Sequence, residues 1–211
     1  MTENTVVQEK LAALTQISGR KPYKAFLYDC DGTLADNMHA HKAAYRKAAE
    51  KYGIDLDTSI IDELAGWPTV LIAEEINKRY NTQLPPKEFA TEKSTIFISE
   101  YLPDTLPVDF VVEHLRNHIG NVRIGVVSGG SRRTVTHTLT VIGLIDDIET
   151  LVCAGDTERG KPFPDPFLRA AEQLGAAPHE CLVFEDGDPG IQAAIAAGMD
   201  WVRIDQITHR P

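Results

Sequence analysis

Two aspartates separated by one residue follow the first apolar run of the chain. Ala25 to Tyr28 are apolar, and Asp29 and Asp31 come directly after them, ahead of a turn at Gly32. Because side chains alternate along an extended chain, we expect the two carboxylates to face the same side. One carboxylate of such a pair can attack an electrophile while the other gives and takes a proton. An isolated Asp-x-Asp is more commonly a solvated turn that ends a strand.

Three later segments bring further reactive groups. A second apolar run ends at Ser128, a third ends at Glu185 and Asp186, and a proline-rich loop between them presents Lys161. The carboxyl ends of parallel strands meet at one edge of a sheet, where α/β proteins bind their ligands. The order of the four segments therefore favours one shared site over four unrelated surface features.

This series resembles the four-motif signature of the haloacid dehalogenase-like hydrolase superfamily. The resemblance extends over about residues 22–205 and is strongest to the branch of β-phosphoglucomutase and sugar-phosphate phosphatases. The segment 181–199 and the segment 66–69 are most similar to bacterial fructose-1-phosphatase-type enzymes. The resemblance implies a phosphoric monoester hydrolase acting on a small phosphorylated metabolite.

Each motif has a role in that chemistry. Asp29 is predicted to be the nucleophile, and Asp31 is predicted to protonate the leaving oxygen and then to deprotonate water. Ser128 and the backbone N–H groups around Gly129 are predicted to hold the phosphoryl oxygens. Lys161 is predicted to stabilise the charge of the transferring group.

The acidic cluster predicts a cation. Asp29, Asp31, Glu185 and Asp186 would repel one another and an anionic substrate, and oxygen ligands favour Mg²⁺. By resemblance the ligands are the Asp29 carboxylate, the Asp31 carbonyl, Asp186, and Glu185 directly or through water. Asp188 has two interpretations: it supports this site from behind, or it only caps the next helix.

The pattern of apolar residues predicts an α/β fold, with a doubly wound, Rossmann-like parallel sheet as its core and a small helical cap inserted into it. Residues 1–36 and 108–211 would form the core and 37–107 the cap, within which no strand is predicted. Residues 1–21 form an N-terminal extension, either a helix packed on the core or a disordered start. Predicted strands cover 25–28, 123–128, 151–153, 181–184 and 201–204; predicted helices cover 39–52, 58–65, 69–80, 86–101, 108–119, 132–141, 166–174 and 189–197.

Two residues of the predicted cap are candidate substrate contacts. His41 matches a hinge histidine of related sugar-phosphate enzymes, with an ordinary half-exposed helix position as the alternative. Trp67, between Gly66 and Pro68, either faces the cleft or joins cap helices to one another.

Composition excludes several classes of function. The 211 residues carry a formal net charge of −10 without a basic block, which argues against nucleic-acid binding. Three cysteines lack metal-ligand spacing and are expected to be buried, reduced thiols. No long apolar stretch or signal peptide is indicated, so we expect a cytoplasmic protein that does not bind membranes. Capped relatives suggest a monomer.

Three functions remain open: a phosphatase, a phosphoglucomutase-type isomerase, and a catalytically silent binding module. A mutase must anchor a second phosphate, yet the positions that carry its arginine and lysine hold Thr69 and Ser131. Arg132 and Arg133 could substitute, although they begin a predicted helix. With Lys161 as the one cation provided, simple hydrolysis is favoured.

Overall fold

The strands of the core form one parallel sheet. The computed structural model describes residues 3–208, so residues 1, 2 and 209–211 of the predicted core lie outside it. The strands of the described chain are β1 (Ala25–Tyr28), β2 (Ala35–Asp36), β3 (Leu106–Pro107), β4 (Arg123–Val127), β5 (Thr150–Val152), β6 (Cys181–Glu185) and β7 (Asp200–Arg203). The main sheet has the order β5-β4-β1-β6-β7, and each neighbouring pair runs parallel.

This strand order places a ligand site beside β1. The chain builds outward from β1 through β4 to β5 and then crosses to β6 and β7 on the other side. In open α/β sheets such a reversal opens a crevice at the carboxyl ends of the central strands. All four residues of β1 are buried, as expected for a central parallel strand covered on both faces.

Helices cover both faces of the sheet, which confirms the predicted doubly wound core. They are α1 (Glu3–Ser18), α6 (Asp109–His118), α7 (Arg132–Val141), α8 (Asp165–Leu174) and α9 (Asp188–Ala196). One apolar cluster joins Leu14 of α1 and Leu115 of α6 to the face of β1 that carries Phe26. The other joins Phe167 of α8 to the opposite face. Burial of Leu14 thus favours a packed N-terminal helix over the alternative of a disordered start.

Between β2 and β3 all the elements of the described chain are helical. They are α2 (Met38–Glu50), α3 (Ser59–Glu63), α4 (Thr69–Tyr80) and α5 (Pro86–Ile96), and α5 runs into a π-helical turn at Phe97–Tyr101. These helices share an apolar cluster of their own around Ile76 and Phe89. We propose that residues 37–107 are a cap domain on this basis.

The prediction of no strand within residues 37–107 is wrong at its last two residues. β3 pairs antiparallel with β2, in the register Ala35 with Pro107 and Asp36 with Leu106. A strand of two residues with an exposed Leu106 has no alternation of apolar and polar side chains that a sequence could reveal.

The predicted strand 151–153 is observed one residue earlier, as β5. Cys153 leaves the ladder because its backbone N–H donates to the side chain of Asp156 (2.7 Å), which starts the following loop. The three cysteines are free and buried, as predicted. Within residues 3–208 no helix combines the length and apolar character that crossing a bilayer requires.

Candidate active site

Asp29 and Asp31 lie where β1 ends, and both line one cavity of about 60 Å³. The N–H of Asp29 donates to the carbonyl of Phe184 (2.9 Å), so the hydrogen bonding to β6 holds its backbone in place. Asp29 is 5% exposed. The prediction that the two carboxylates reach the same space agrees with this geometry.

Lys161 joins two of the predicted carboxylates. Its ammonium donates to Asp29 Oδ1 (2.6 Å), to Glu185 Oε1 (2.6 Å) and to the carbonyl of Val127 (2.8 Å). Burial alone would lower the pKa of Lys161, but the two carboxylates raise it above its ordinary value. Lys161 is therefore a permanent cation, and its three donors are directed at fixed partners.

Asp29, Glu185 and Asp186 present carboxylate oxygens that all lie within 4.8 Å of one another. Burial raises the pKa of Asp29 well above its ordinary value, and burial with the charge of Glu185 raises the pKa of Asp186 to about 7. One ammonium, that of Lys161, faces these three carboxylates, so negative charge in the cluster remains uncompensated. A hard divalent cation fits this all-oxygen donor set.

Gly32 allows Asp186 to approach β1. It has φ of +92°, and a Cβ at this position would lie 2.1 Å from Asp186 Oδ2. The hydroxyl of Thr33 donates to Asp186 Oδ1 (3.0 Å), which orients the carboxylate. The glycine and threonine after the second aspartate are therefore as necessary to the cluster as the acids.

Ser128 follows β4, as predicted, and lines the same cavity with Gly129 and Gly130. The N–H of Gly130 donates to Ser128 Oγ (3.0 Å), so the loop curls around the hydroxyl. The Ser128 hydroxyl keeps its own proton available for donation to a ligand oxygen.

His41 is buried beside Asp31, which the alternative of a half-exposed helix position does not allow. Its Nε2 lies 3.1 Å from Asp31 Oδ1, and its ring stacks on Phe97 with 3.9 Å between centroids. The amide of Asn37 also donates to Asp31 Oδ1 (2.7 Å). Burial favours the neutral acid, but His41 and Asn37 hold the pKa of Asp31 down to about 2.

Lys93 is a buried cation that the sequence analysis missed. It is 4% exposed, its Nζ lies 2.5 Å from His41 Nδ1, and it sits 4.5 Å from the centre of the Tyr45 ring. An ammonium can only donate, so His41 Nδ1 accepts and the ring proton sits on Nε2, facing Asp31. The sequence did hold a signal for this burial. Lys93 lies four positions from both Phe89 and Phe97, on the apolar stripe of a helix.

Trp67 lies in a loop of the predicted cap that touches the core. A Cβ on Gly129 would lie 2.1 Å from the carbonyl oxygen of Gly66, and one on Gly160 would lie 3.1 Å from Pro68 Cγ. Trp67 lines the cavity with Ser128. Trp67 also packs against the apolar cluster of the inserted helices, so its position fits both interpretations, in the cleft and between cap helices.

Of five further residues that the sequence analysis named, four lie away from the catalytic cavity and the fifth, Thr69, lines it. Asp188 is exposed and pairs with Arg203. Its position therefore gives no support to the interpretation in which Asp188 supports the acidic cluster from behind. Arg132 pairs with Asp156 and does not line the cavity, and Arg133 is exposed. Ser131 caps α7 by accepting from the N–H of Thr134 (3.2 Å). The hydroxyl of Thr69 accepts from Tyr45 (3.1 Å) at the cavity wall.

The chain is similar to known proteins along most of its length. The model of the haloacid dehalogenase-like hydrolases matches residues 23–198. The fructose-1-phosphate phosphatase YqaB of Escherichia coli is 34% identical over 86% of this chain and 96% of its own length. The β-phosphoglucomutase of Bacillus subtilis is 31% identical, over 87% and 84%.

A solved structure has the same fold. The crystal structure of β-phosphoglucomutase from Clostridium difficile aligns with a TM-score of 0.75 at 29% identity, covering 86% of this chain and 84% of that one. The protein therefore belongs to the haloacid dehalogenase-like hydrolases, in the branch that holds sugar-phosphate phosphatases and β-phosphoglucomutase.

Proposed function

We propose that the protein is a divalent-cation-dependent phosphatase that hydrolyses a small phosphorylated sugar or related metabolite through a phosphorylated Asp29. The cavity supports this best, because it places Asp29, Ser128 and the Asp31 carboxylate around one small space. Its walls combine apolar side chains with His41 and Lys93, a mixture suited to the faces and hydroxyls of a sugar.

The proposed reaction has two halves. The Asp29 carboxylate attacks phosphorus, the bond from phosphorus to the ester oxygen breaks, and protonated Asp31 gives that oxygen its proton. Asp31, now a carboxylate, then takes a proton from water, whose oxygen attacks the aspartyl phosphate and releases phosphate from Asp29. A bound phosphoryl dianion raises the pKa of Asp31, which lets it carry the first proton.

The remaining residues hold these groups in place. Lys161 donates to Asp29 and to Glu185 and fixes both carboxylates, while Ser128 donates to a phosphoryl oxygen. Asp29, Asp186 and Glu185, with the Asp31 carbonyl, would hold Mg²⁺. When bound, the cation shields the carboxylates from the phosphoryl oxygens.

One observation favours the mutase as a second candidate. A mutase must bind a phosphate at both ends of its intermediate, and the sequence analysis found a cation at one end only. Lys93 places a second ammonium on the cavity wall, far from Lys161 in sequence. Its short contact with His41 and its position over the Tyr45 ring argue instead that it positions the acid–base pair.

A substrate panel tests the proposal. Phosphorylated sugars are assayed for phosphate release with Mg²⁺, with chelator, and with Ca²⁺. We expect turnover with Mg²⁺, none with chelator, and inhibition by Ca²⁺, whose looser coordination displaces Asp29 from in-line attack. Full activity in chelator would exclude the acidic cluster as a metal site, and a panel without any turnover would exclude the phosphatase.

A further inference from the structure

A second cavity lies behind the Trp67 loop. Its volume is about 340 Å³, within the range of pockets that bind small molecules. Trp67, Pro68 and Leu71 form one wall, and the loop that follows β5, up to Phe163, forms the other. None of the proposed steps of the reaction uses this space.

The Trp67 loop separates the two cavities. Trp67, Ser128 and Gly129 line both of them. Gly66 approaches Gly129 and Pro68 approaches Gly160 so closely that the loop packs directly on the core here. A molecule in the second cavity would therefore touch the back of the loop whose front faces the catalytic groups.

Most polar side chains around the second cavity already have partners. The Lys161 ammonium is held by Asp29 and Glu185, so only its methylene groups are available to this space. The Thr157 hydroxyl donates to the carbonyl of Arg159 (2.9 Å), and the Arg159 guanidinium pairs with Asp165 (2.9 Å). Ser128 and the exposed Glu158 keep free hydrogen-bonding capacity, so the walls need few hydrogen bonds from an occupant.

The apolar surface that remains is large and partly open. Leu71 is 39% exposed and Phe163 is 47% exposed, and the Arg159 guanidinium covers one face of the Phe163 ring at 4.6 Å. Trp67 adds a second aromatic side chain to the wall. Flat apolar rings pack well on such surfaces, and burying them there removes apolar area from water.

We propose that this cavity is a second ligand site for a small, flat, uncharged aromatic molecule, and that its occupant holds the Trp67 loop against the core. A ligand that contacts both walls binds better when the loop is docked, and by reciprocity it favours the docked state. Product release requires the loop to leave, so the occupant slows turnover after the substrate has bound.

Binding is measured first without substrate, using 1-naphthol as the probe. Trp67 and Trp201 are the two tryptophans of the chain, so a Trp201→Phe background reports on Trp67 alone. We expect saturable quenching of Trp67 fluorescence and a matching calorimetric isotherm. Because this measurement involves no catalysis, its result does not depend on the proposed phosphatase activity. Absence of saturable binding overturns the site.

Two substitutions locate the bound probe. Leu71→Asp puts a charge on the wall and is expected to weaken binding at least tenfold, while Leu168→Asp, equally exposed at 39% but lining neither cavity, leaves it unchanged. Phe163→Ser serves if Leu71→Asp fails to fold. Equal binding by all of these variants would place the probe elsewhere and contradict the proposal.

Steady-state kinetics with the probe test the coupling. We expect kcat for the best sugar phosphate to fall by a larger factor than KM, because the probe binds the free enzyme and binds the closed complex more tightly. Competition with substrate alone would mean that the probe enters the catalytic cavity, and would overturn the assignment of a separate site.

Discussion

At the scale of single residues, the arrangement separates the two aspartates by their partners. Asp29 lies against a lysine and two other acids, whereas Asp31 faces the amide of Asn37 and the ring of His41. These neighbours raise the pKa of Asp29 and lower that of Asp31, so the proposed roles require the bound cation to lower the first and the bound phosphoryl group to raise the second. The two carboxylates, identical in type and two residues apart, thus have different surroundings.

We expect Asp29→Asn to lower phosphate release by about 10³-fold or more, because an amide cannot be the nucleophile. The fold should persist, since a neutral group suits a buried position that already disfavours a charge. Turnover of the best sugar phosphate and the thermal midpoint are measured. Asp188→Asn, at an exposed position, is the control. Near wild-type turnover of Asp29→Asn would contradict the mechanism.

Lys93 has a pH dependence of its own. Burial lowers its pKa to about 8, so it is a cation below that pH and loses its proton above it. A neutral Lys93 no longer fixes the ring proton of His41 on Nε2, the nitrogen that lies 3.1 Å from Asp31 Oδ1. We therefore expect kcat/KM of the wild type to fall as the pH rises through about 8.

Lys93→Met tests this assignment. Methionine keeps the length and removes the charge, so we expect kcat/KM near neutral pH to fall by about 10- to 100-fold, as for loss of one acid–base contribution. The fall above pH ~8 should disappear from the variant. Lys87→Met, at an exposed position of the same helix, should keep the profile. If kcat/KM of Lys93→Met still falls above pH ~8 as it does in the wild type, the titrating group is a residue other than Lys93.

At the scale of elements, the docked Trp67 loop leaves no room for a side chain at Gly129. Gly129→Ala would bring Cβ to 2.1 Å from the Gly66 carbonyl, so the loop must move. Gly160→Ala meets Pro68 at 3.1 Å, where a shift of a few tenths of an ångström suffices. We expect kcat/KM to fall about 100-fold for Gly129→Ala. The fall for Gly160→Ala should be smaller than that by a factor of several. Equal effects would argue against docking through Gly129.

His114 on α6 links α1 to the sheet. Its ring nitrogens lie 2.8 Å from Ser18 Oγ and 3.0 Å from the Tyr28 hydroxyl, and burial, with the charge of His118, lowers its pKa to about 3. As the pH is lowered, His114 of the unfolded chain binds a proton near pH 6.5, whereas His114 of the folded chain does so only near pH 3. Stability from this group is thus complete above about 6.5 and falls as the pH decreases towards 3, by about 1.4 kcal/mol per pH unit.

We expect His114→Gln to lose less free energy of unfolding than the wild type between about pH 7 and pH 5. Urea unfolding at both values measures the difference. The exposed His137→Gln should behave as the wild type does. Identical losses in the wild type and His114→Gln would show that His114 is not the acid-sensitive group.

The elements also explain what a sequence can and cannot reveal. Asp29, Ser128 and Glu185 were predictable because each ends a buried run, and parallel strands bring such ends together. The burial of Lys93 had a local signal, its place on the apolar stripe of α5, but its contact with His41 had none, because that partner comes from α2. The pairing of β2 with β3 was not predicted for the same reason, because it joins residues about 70 positions apart in the sequence.

At the scale of the whole molecule, phosphatase and mutase differ in their product. We expect β-glucose 1-phosphate to yield free phosphate without glucose 6-phosphate, because Arg132 and Arg133 lie away from the cavity and Lys93 is held by His41. A mutase must also keep water from the acyl phosphate while its intermediate turns over. Phosphate release and coupled detection of glucose 6-phosphate decide this. Glucose 6-phosphate formed at the rate of substrate loss would establish the mutase, with Lys93 as the missed anchor.

The inserted helices begin and end at one point of the core. Asp36 and Leu106, which flank the insertion, face each other across a two-residue antiparallel ladder. A hairpin could join these positions without altering the order of the parallel strands, so the insertion is topologically removable. Replacing the inserted helices would therefore leave the parallel strands, and the strand ends that carry Asp29 and Ser128, in register.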